Sequence, residues 1–306
     1  MLDNLKFSAI DIGSHNCKMV IAEIKGNKFK NLHFFSESLN LGKELIFNSE
    51  FSQQKINDLV KFFKKISFKF NQFNVNDYRC IATEAFRKSI NSKKTIDIIK
   101  FKTGINIEVI SSAEEAELCI QSCKKKILED ATPKLIFDIG GGSTELIFIN
   151  NKESYNNFEF VSLPYGVVNL NEHFDIYSEK KTQTFISKEI SIFYEKNFKY
   201  LDKFNAIGCC RTTNIICCKF NKLKKFNKKL INKTQMTFEQ VYKINSQIKK
   251  RKTNIDFVNK SIENPNLLSN GVFILNEIMK IFKFNVINFS SNGLVDGLVF
   301  NFLSNK

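Results

Sequence analysis

The stretch from residue 133 to 150 limits what this chain can become more than any other. It reads Pro133, Lys134, Leu135-Ile136-Phe137, Asp138-Ile139-Gly140-Gly141-Gly142-Ser143-Thr144-Glu145 and Leu146-Ile147-Phe148-Ile149. Two apolar runs rich in β-branched and aromatic residues predict two strands. The turn between them is acidic at both edges and glycine-rich at its centre. Three successive glycines remove every Cβ, so the backbone can reach positive φ and approach a ligand closely. Successive N–H groups in such a turn form an anion-binding nest. Asp138 ends the first strand and Glu145 begins the second. Two carboxylates beside a phosphate nest imply a metal ion, or a positioned water, between protein and phosphate. No Gly-Lys-Ser/Thr follows the glycines, so this is not a P-loop. A strand follows where a dinucleotide fingerprint needs a helix. The bland alternative is an ordinary glycine-rich hairpin.

The format recurs near the start. Phe7-Ser8-Ala9-Ile10 leads into Asp11-Ile12-Gly13-Ser14-His15-Asn16, and Lys18-Met19-Val20-Ile21-Ala22-Glu23-Ile24 follows. The copies lie too far apart for a tandem array. A duplicated domain accounts for them better, each half supplying one phosphate hairpin to a shared cleft.

Further stretches fall into place around these two: Ala82-Thr83-Glu84-Ala85-Phe86-Arg87, Ile110 to Leu118 with Glu114-Glu115-Ala116, and Leu163-Pro164-Tyr165-Gly166-Val167-Val168-Asn169-Leu170. With Asp11 to Asn16 and Asp138 to Glu145, they resemble, in order, the motifs of the exopolyphosphatase / guanosine pentaphosphate phosphohydrolase family. The resemblance covers most of the first half and weakens in the last third. It implies an α/β, duplicated actin-like fold of the ribonuclease H-like, sugar kinase and Hsp70 ATPase group, with two lobes around a central cleft. The expected lobes are 1–130, with helix 294–306 packing back on it, and 131–293. Ala131-Thr132-Pro133 is the expected boundary, because proline ends helices. Longer relatives carry further helical domains, so a short form is expected.

The resemblance also implies roles. Glu115, second of the Glu-Glu-Ala triplet, becomes the catalytic base, and Arg87 a phosphate contact. A guanidinium can clamp two phosphate oxygens, although a surface ion pair is the plainer reading of Arg87 by itself. Gly13, Ser14, Gly140, Gly141, Gly142, Ser143 and Thr144 become phosphate-binding. Lys43, after Leu39-Asn40-Leu41-Gly42, stands where the family tends to place a basic residue facing phosphate. Asp138, Asp11 and Glu145 become ligands of Mg²⁺ or another divalent cation. Two positions depart from the family pattern. Arg211 in Gly208-Cys209-Cys210-Arg211-Thr212-Thr213 replaces a glycine, either adding a phosphate contact or blocking a nucleotide-like group. Val295-Asp296 follows Leu294 where a basic residue is usual.

Charge supports acidic partners. The 306 residues carry 46 Lys plus Arg against 31 Asp plus Glu, a formal charge of +15. That favours polyphosphate, nucleotides, nucleic acid or anionic membrane without choosing among them. Lys219, Lys222, Lys224, Lys225, Lys228, Lys229 and Lys233 form one basic stretch, and Lys249-Lys250-Arg251-Lys252 another. They lack the interleaved aromatics that stack bases, so only non-specific nucleic-acid binding is expected. No run of about 18 apolar residues occurs, so no transmembrane helix is expected. Met1 to Lys6 lacks signal-peptide architecture, which points to a cytoplasmic protein. The eight cysteines include Cys209-Cys210 and Cys217-Cys218. Adjacent cysteines diverge on a strand or a helix, so reduced, buried thiols are expected rather than a zinc site. His173 has no visible partner.

Between the motifs, helices are predicted over 52–67, 92–103 closed by Gly104, 188–200, 237–250, 267–282 and 294–303. Strands are predicted over 28–38, 77–83, 105–110, 153–163, 204–208 and 287–289. The activity expected is hydrolysis of terminal phosphoanhydride bonds in polyphosphate or guanosine pentaphosphate, by Glu115-activated water with Mg²⁺. The alternatives are a non-catalytic binder of the same anions, or an ATP-using enzyme of the same fold, against which Arg211 argues. A homodimer is the favoured assembly.

Overall fold

Apolar alternation on either side of Gly13 produces the hairpin the sequence predicts. The computed structural model describes residues 5–26, 28–43, 45–151, 157–250 and 265–305. Leu5–Ile12 (β1) and Asn16–Lys25 (β2) pair antiparallel, with Asp11 opposite Lys18. Lys28–Ser38 (β3) continues the sheet, and one turn, Leu45–Asn48 (α1), precedes the helix Gln53–Phe73 (α2). Ser52 caps α2 by accepting from Lys55 N at 3.3 Å. The helix runs past the predicted end at residue 67. It stops at Asn74, whose φ of 51° is left-handed. Asp77–Ala82 (β4) pairs parallel to β1, and Glu84–Lys88 (α3) and Ser92–Thr103 (α4) follow. Gly104, at φ 72°, closes α4.

The strand expected over 105–110 shrinks to Glu108–Val109 (β5). Asn106 explains this in part: its N–H donates to Tyr78 Oη at 3.0 Å instead of joining the ladder. Ser112–Ile127 (α5) begins at the predicted cap, where Ser111 Oγ accepts from Glu114 N at 3.1 Å.

The second sheet repeats this plan. Lys134–Ile139 (β6) and Thr144–Ile149 (β7) form the glycine hairpin, with Asp138 opposite Glu145. Glu159–Leu163 (β8) extends it. The earlier part of the predicted 153–163 strand reaches into residues outside those described. Leu170–Tyr177 (α6) and Glu179–Asn197 (α7) come next. Helix α7 starts well before the predicted residue 188, because its polar first turns hide the period. Thr182, Ile186, Ile190 and Phe193 nevertheless fall on its buried side.

Asn205–Cys209 (β9), Cys210–Phe220 (α8), Lys228–Lys233 (α9), Gln235–Thr237 (β10), Phe238–Lys250 (α10), Pro265–Phe282 (α11) and Val286–Phe289 (β11) complete the sheet and its helices. The side chains of Lys249 to Lys252, the second basic cluster, lie outside the described residues. Leu294–Ser304 (α12) ends the chain's regular structure.

The strand orders are β3-β2-β1-β4-β5 and β10-β11-β9-β6-β7-β8. Read from β3 and from β8, both sheets begin with two antiparallel pairs and then a parallel one. This is the duplicated actin-like α/β fold. The chain divides into two compact units, Met1–Gln121 with Leu294–Lys306, and Ser122–Gly293. The division falls within α5, upstream of Ala131-Thr132-Pro133. In the first unit, Phe62, Phe63, Ile66 and Phe86 pack beneath Ile10, Ile12 and Met19. Truncating Phe63 to Ala would cost about 3–5 kcal/mol. Phe7 stacks on Phe302 at 4.0 Å, holding α12 on β1. Leu135, Phe137, Ile139 and Leu146 centre the core of the second unit.

All eight cysteines are buried and none is in a disulfide, and desolvation, then Asp11, pushes the Cys17 and Cys80 thiols well up. Among the described residues no helix is long and apolar enough to cross a membrane.

Candidate active site

Both hairpin turns are built alike. Gly13 N donates to Asn16 O at 3.1 Å, and Gly140 N donates to Ser143 O at 2.9 Å. A Cβ on Gly13 would sit 3.1 Å from that Asn16 oxygen, and one on Gly140 would sit 3.0 Å from that Ser143 oxygen. These two glycines therefore serve close approach. The positive φ that their sequence invites is not used at either.

Each turn is held from behind by a strap. In the first unit, Gly42 N donates to Ser14 O at 2.8 Å, and Leu39 N and Asn40 N donate to His15 O at 3.1 and 3.0 Å. In the second, Val167 N reaches Gly140 O at 2.9 Å, Val168 N reaches Gly141 O at 2.8 Å, and Asn169 Nδ2 reaches Gly142 O at 2.9 Å. Peptide planarity sets each N–H opposite the preceding carbonyl. With those carbonyls turned to the strap, the N–H groups of Gly141, Gly142 and Ser143 point away from it. The same holds for His15 and Asn16. The outward N–H groups of the first turn thus belong to His15 and Asn16, next to the expected phosphate-binding Gly13 and Ser14, while Gly42, Gly166 and Asn169, which hold the turns, are not among the expected phosphate-binding residues. The run Leu163 to Leu170 signalled Gly166 and Asn169 only through family likeness.

The strands set the charges. Residues opposite one another on neighbouring strands share a face. Across β8-β7-β6-β9 this gives the row Ser162, Glu145, Asp138, Cys209. Glu145 is fully buried and Asp138 is 4% exposed. Ser162 Oγ donates to Glu145 Oε1 at 2.9 Å. The corresponding row across β3-β2-β1-β4 is Ser36, Lys18, Asp11, Ile81. Lys18 Nζ lies 3.4 Å from Asp11 Oδ2.

An oxygen-ligated divalent cation fits the first of these rows. Two carboxylates face each other there, and like charges directly opposite are unfavourable without a counter-charge. Their hard oxygens suit Mg²⁺. Asp11 fits less well, since Lys18 already supplies its counter-charge.

Glu115 lies in the first turn of α5 and is 5% exposed. Arg87 Nη1 donates to its Oε2 at 2.8 Å and to Ile110 O at 3.1 Å. Arg87 Nε and Nη2 donate to Glu84 Oε2 at 3.1 and 3.0 Å. Burial works against the Arg87 charge, but Glu115 and Glu84 outweigh it and raise its pKa. Glu114 pairs instead with Arg79, and Glu117 is exposed. Of the three glutamates, only Glu115 is buried and bonded to Arg87.

The remaining candidates scatter. Lys43 is exposed, one residue past Gly42. Thr144 turns its hydroxyl to Tyr165 O at 2.7 Å, away from any nest role for that group. His173 bonds Pro164 O through Nε2 at 3.1 Å, behind the strap. Arg211 is half-buried in the first turn of α8, and desolvation lowers its pKa. A glycine-rich loop expected there is replaced by a β9–α8 junction in which Cys210 adopts φ 63°. Lys222, Lys224, Lys225, Lys228, Lys229 and Lys233 are exposed.

Known proteins resemble this chain along most of its length. Residues 20–306 match the Ppx/GppA phosphatase family. A bifunctional 3-dehydroquinate synthase/phosphatase of Fusobacterium nucleatum is 26% identical over 321 aligned residues, covering 99% of this chain and 47% of that protein. The chain spans about half the length of the curated relatives it matches. Among solved structures, an exopolyphosphatase from Cytophaga hutchinsonii superposes with a TM-score of 0.82 at 20% identity, covering 98% of both chains. The Aquifex aeolicus family member gives 0.77 at 21% identity, again over 98% of both chains. These likenesses establish the fold, and the family match establishes the kinship: the chain belongs to the Ppx/GppA phosphatase family, phosphohydrolases of phosphoanhydride substrates.

Proposed function

We propose that the protein hydrolyses terminal phosphoanhydride bonds, releasing orthophosphate from inorganic polyphosphate or the 5′ phosphate of guanosine pentaphosphate. The observation that carries this reading is the set of backbone donors at the glycine hairpin. Gly141, Gly142 and Ser143 present consecutive N–H groups beside two buried carboxylates. Such a nest binds a phosphate oxyanion, and it needs no reorganisation as charge develops. The N–H groups of His15 and Asn16 are assigned the same role. Asp138 and Glu145 would hold Mg²⁺, which supplies charge neutralisation for phosphate oxygens when bound.

Glu115 is the general base. Its carboxylate accepts the proton of the attacking water. Arg87 is then a positioning residue, since three of its nitrogens hold Glu84, Glu115 and the Ile110 carbonyl. The exposed lysines of 222 to 233 offer a polyanion a weak, sequence-independent track.

The deciding experiment measures phosphate release from long-chain polyphosphate and guanosine pentaphosphate, side by side, with Mg²⁺. Glu115→Gln is expected to keep the thermal transition and to lose ~10²–10⁴ in turnover, the usual contribution of a general base. Wild-type turnover in that variant would remove Glu115 from the mechanism.

One observation favours a second reading, a non-catalytic binder of the same anions. The Arg87 guanidinium is committed to protein partners, and Cys210-Arg211 fills a junction the family keeps for glycine. Tight polyphosphate binding without phosphate release would select it.

A further inference from the structure

Adjacent cysteines in regular structure diverge, and on that ground Cys209-Cys210 looks unsuited to metal. The β9–α8 junction changes this. Cys209 is extended, with φ −121° and ψ 179°, while Cys210 has φ 63°. A left-handed residue breaks the strand alternation. As a result Cys209 Sγ, Cys210 Sγ and a carboxylate oxygen of Asp138 all lie within 4.8 Å of one another. All three residues are buried. Cys209 is also the register partner of Asp138 on the neighbouring strand.

The junction is firmly built. Cys210 N donates to Asn292 O at 3.2 Å, and Ser290 N donates to Gly208 O at 2.9 Å. Thr213 Oγ1 donates to Cys209 O and reaches Cys210 O at 3.4 Å. The left-handed backbone is unfavourable for any residue but glycine. Here it persists in a residue whose side chain completes a ligand set.

We infer that Asp138, Cys209 and Cys210 form a site for a borderline-soft divalent cation of the zinc class, bound by two thiolates and one carboxylate. Binding replaces the two thiol protons, which pass to solvent, and ends the Cys209 Sγ donation to Phe137 O at 3.5 Å. Sulfur ligands select zinc-class ions over Mg²⁺, which takes oxygen. The consequence rests on the proposed function. Asp138 cannot serve both ions alike, so the thiophilic ion displaces Mg²⁺ and stops phosphate release.

The test uses the full chain under reducing conditions. Cobalt(II) is titrated in as a spectroscopic stand-in for zinc, and the thiolate-to-metal charge-transfer band is followed in the near ultraviolet. Wild type is expected to develop the band at one equivalent, to lose it to added Zn²⁺, and to keep it in excess Mg²⁺. Cys210→Gly suits the left-handed backbone and should fold. It and Cys209→Ser are each expected to weaken Zn²⁺ binding by at least ~100-fold, beyond the ~10–100-fold typical of outer-shell changes. No band in wild type, or an unchanged band and affinity in Cys210→Gly, overturns the site. The band is read without turnover, so it stands or falls independently of whether the protein releases phosphate. In an active preparation, Zn²⁺ should inhibit wild type reversibly and Cys210→Gly at least tenfold less; equal inhibition overturns the link to Mg²⁺.

Discussion

The β1–β2 and β6–β7 hairpins share a backbone and differ in charge. Each has an aspartate two residues before a close-approach glycine, one N–H bond across the turn, and a strap behind it. Opposite Asp11 stands Lys18, and opposite Asp138 stands Glu145. The first pair is oppositely charged, and the second is like-charged. One cross-strand position thus separates the two turns, and only the second is proposed to hold a metal. The straps differ as well. Gly42 approaches Ser14 mainly through that residue's Cβ, whereas Gly166 approaches the Gly141 and Gly142 backbone itself.

The largest expected effect tests the charge contrast. Asp138→Asn should lower Mg²⁺-dependent phosphate release by ~10²–10³, the scale of losing one preorganised electrostatic element. Asp11→Asn should lower it by less than about tenfold, since its partner is Lys18. Equal losses measured over a Mg²⁺ titration would erase the distinction.

Next in size is the strap contrast, read by thermal or urea unfolding. A Cβ at Gly166 would lie 2.4 Å from the Gly141 carbonyl, where nothing flexible can yield. A Cβ at Gly42 would lie 2.8 Å from Ser14 Cβ. Overpacking costs about 1–3 kcal/mol, so Gly166→Ala should reach or pass the upper end and Gly42→Ala fall near the lower. The reverse order would mean that the straps are not equivalent devices.

The smallest effect tries to convert one hairpin into the other. Lys18→Glu places two carboxylates face to face, as in the second unit. It should destabilise by about 0.2–1 kcal/mol without divalent ions, the range for cross-strand charge pairs. Added Mg²⁺ should restore the loss. A melting curve indifferent to Mg²⁺ would show that the first turn cannot be made to bind metal by charge alone.

Local chemistry made much of this legible. Both hairpins, the Ser52 cap and the Gly104 stop follow from short patterns, and the structure keeps them. The buried, Arg87-bonded state of Glu115 was accessible only through family likeness, because three glutamates in four positions look alike to helix periodicity. The straps were hidden for another reason. They are backbone contacts between distant segments, and nothing in Leu39 to Gly42 announces them. Helix α9 and strand β10 lay in a lysine-rich stretch with too few apolar residues to show a period. Cys210 misled because its sequence gives an ordinary residue and its position demands a left-handed one.

Helix α12 carries a consequence for biogenesis. It belongs to the first unit, with Phe302 stacked on Phe7 and Gly297 so close to Leu118 that a Cβ would lie 2.3 Å from its carbonyl oxygen. On a ribosome, β1 emerges long before the helix that covers it. Ser122–Gly293 can therefore mature while the earlier half still waits, its sheet exposed to chaperones or to premature pairing with other nascent chains.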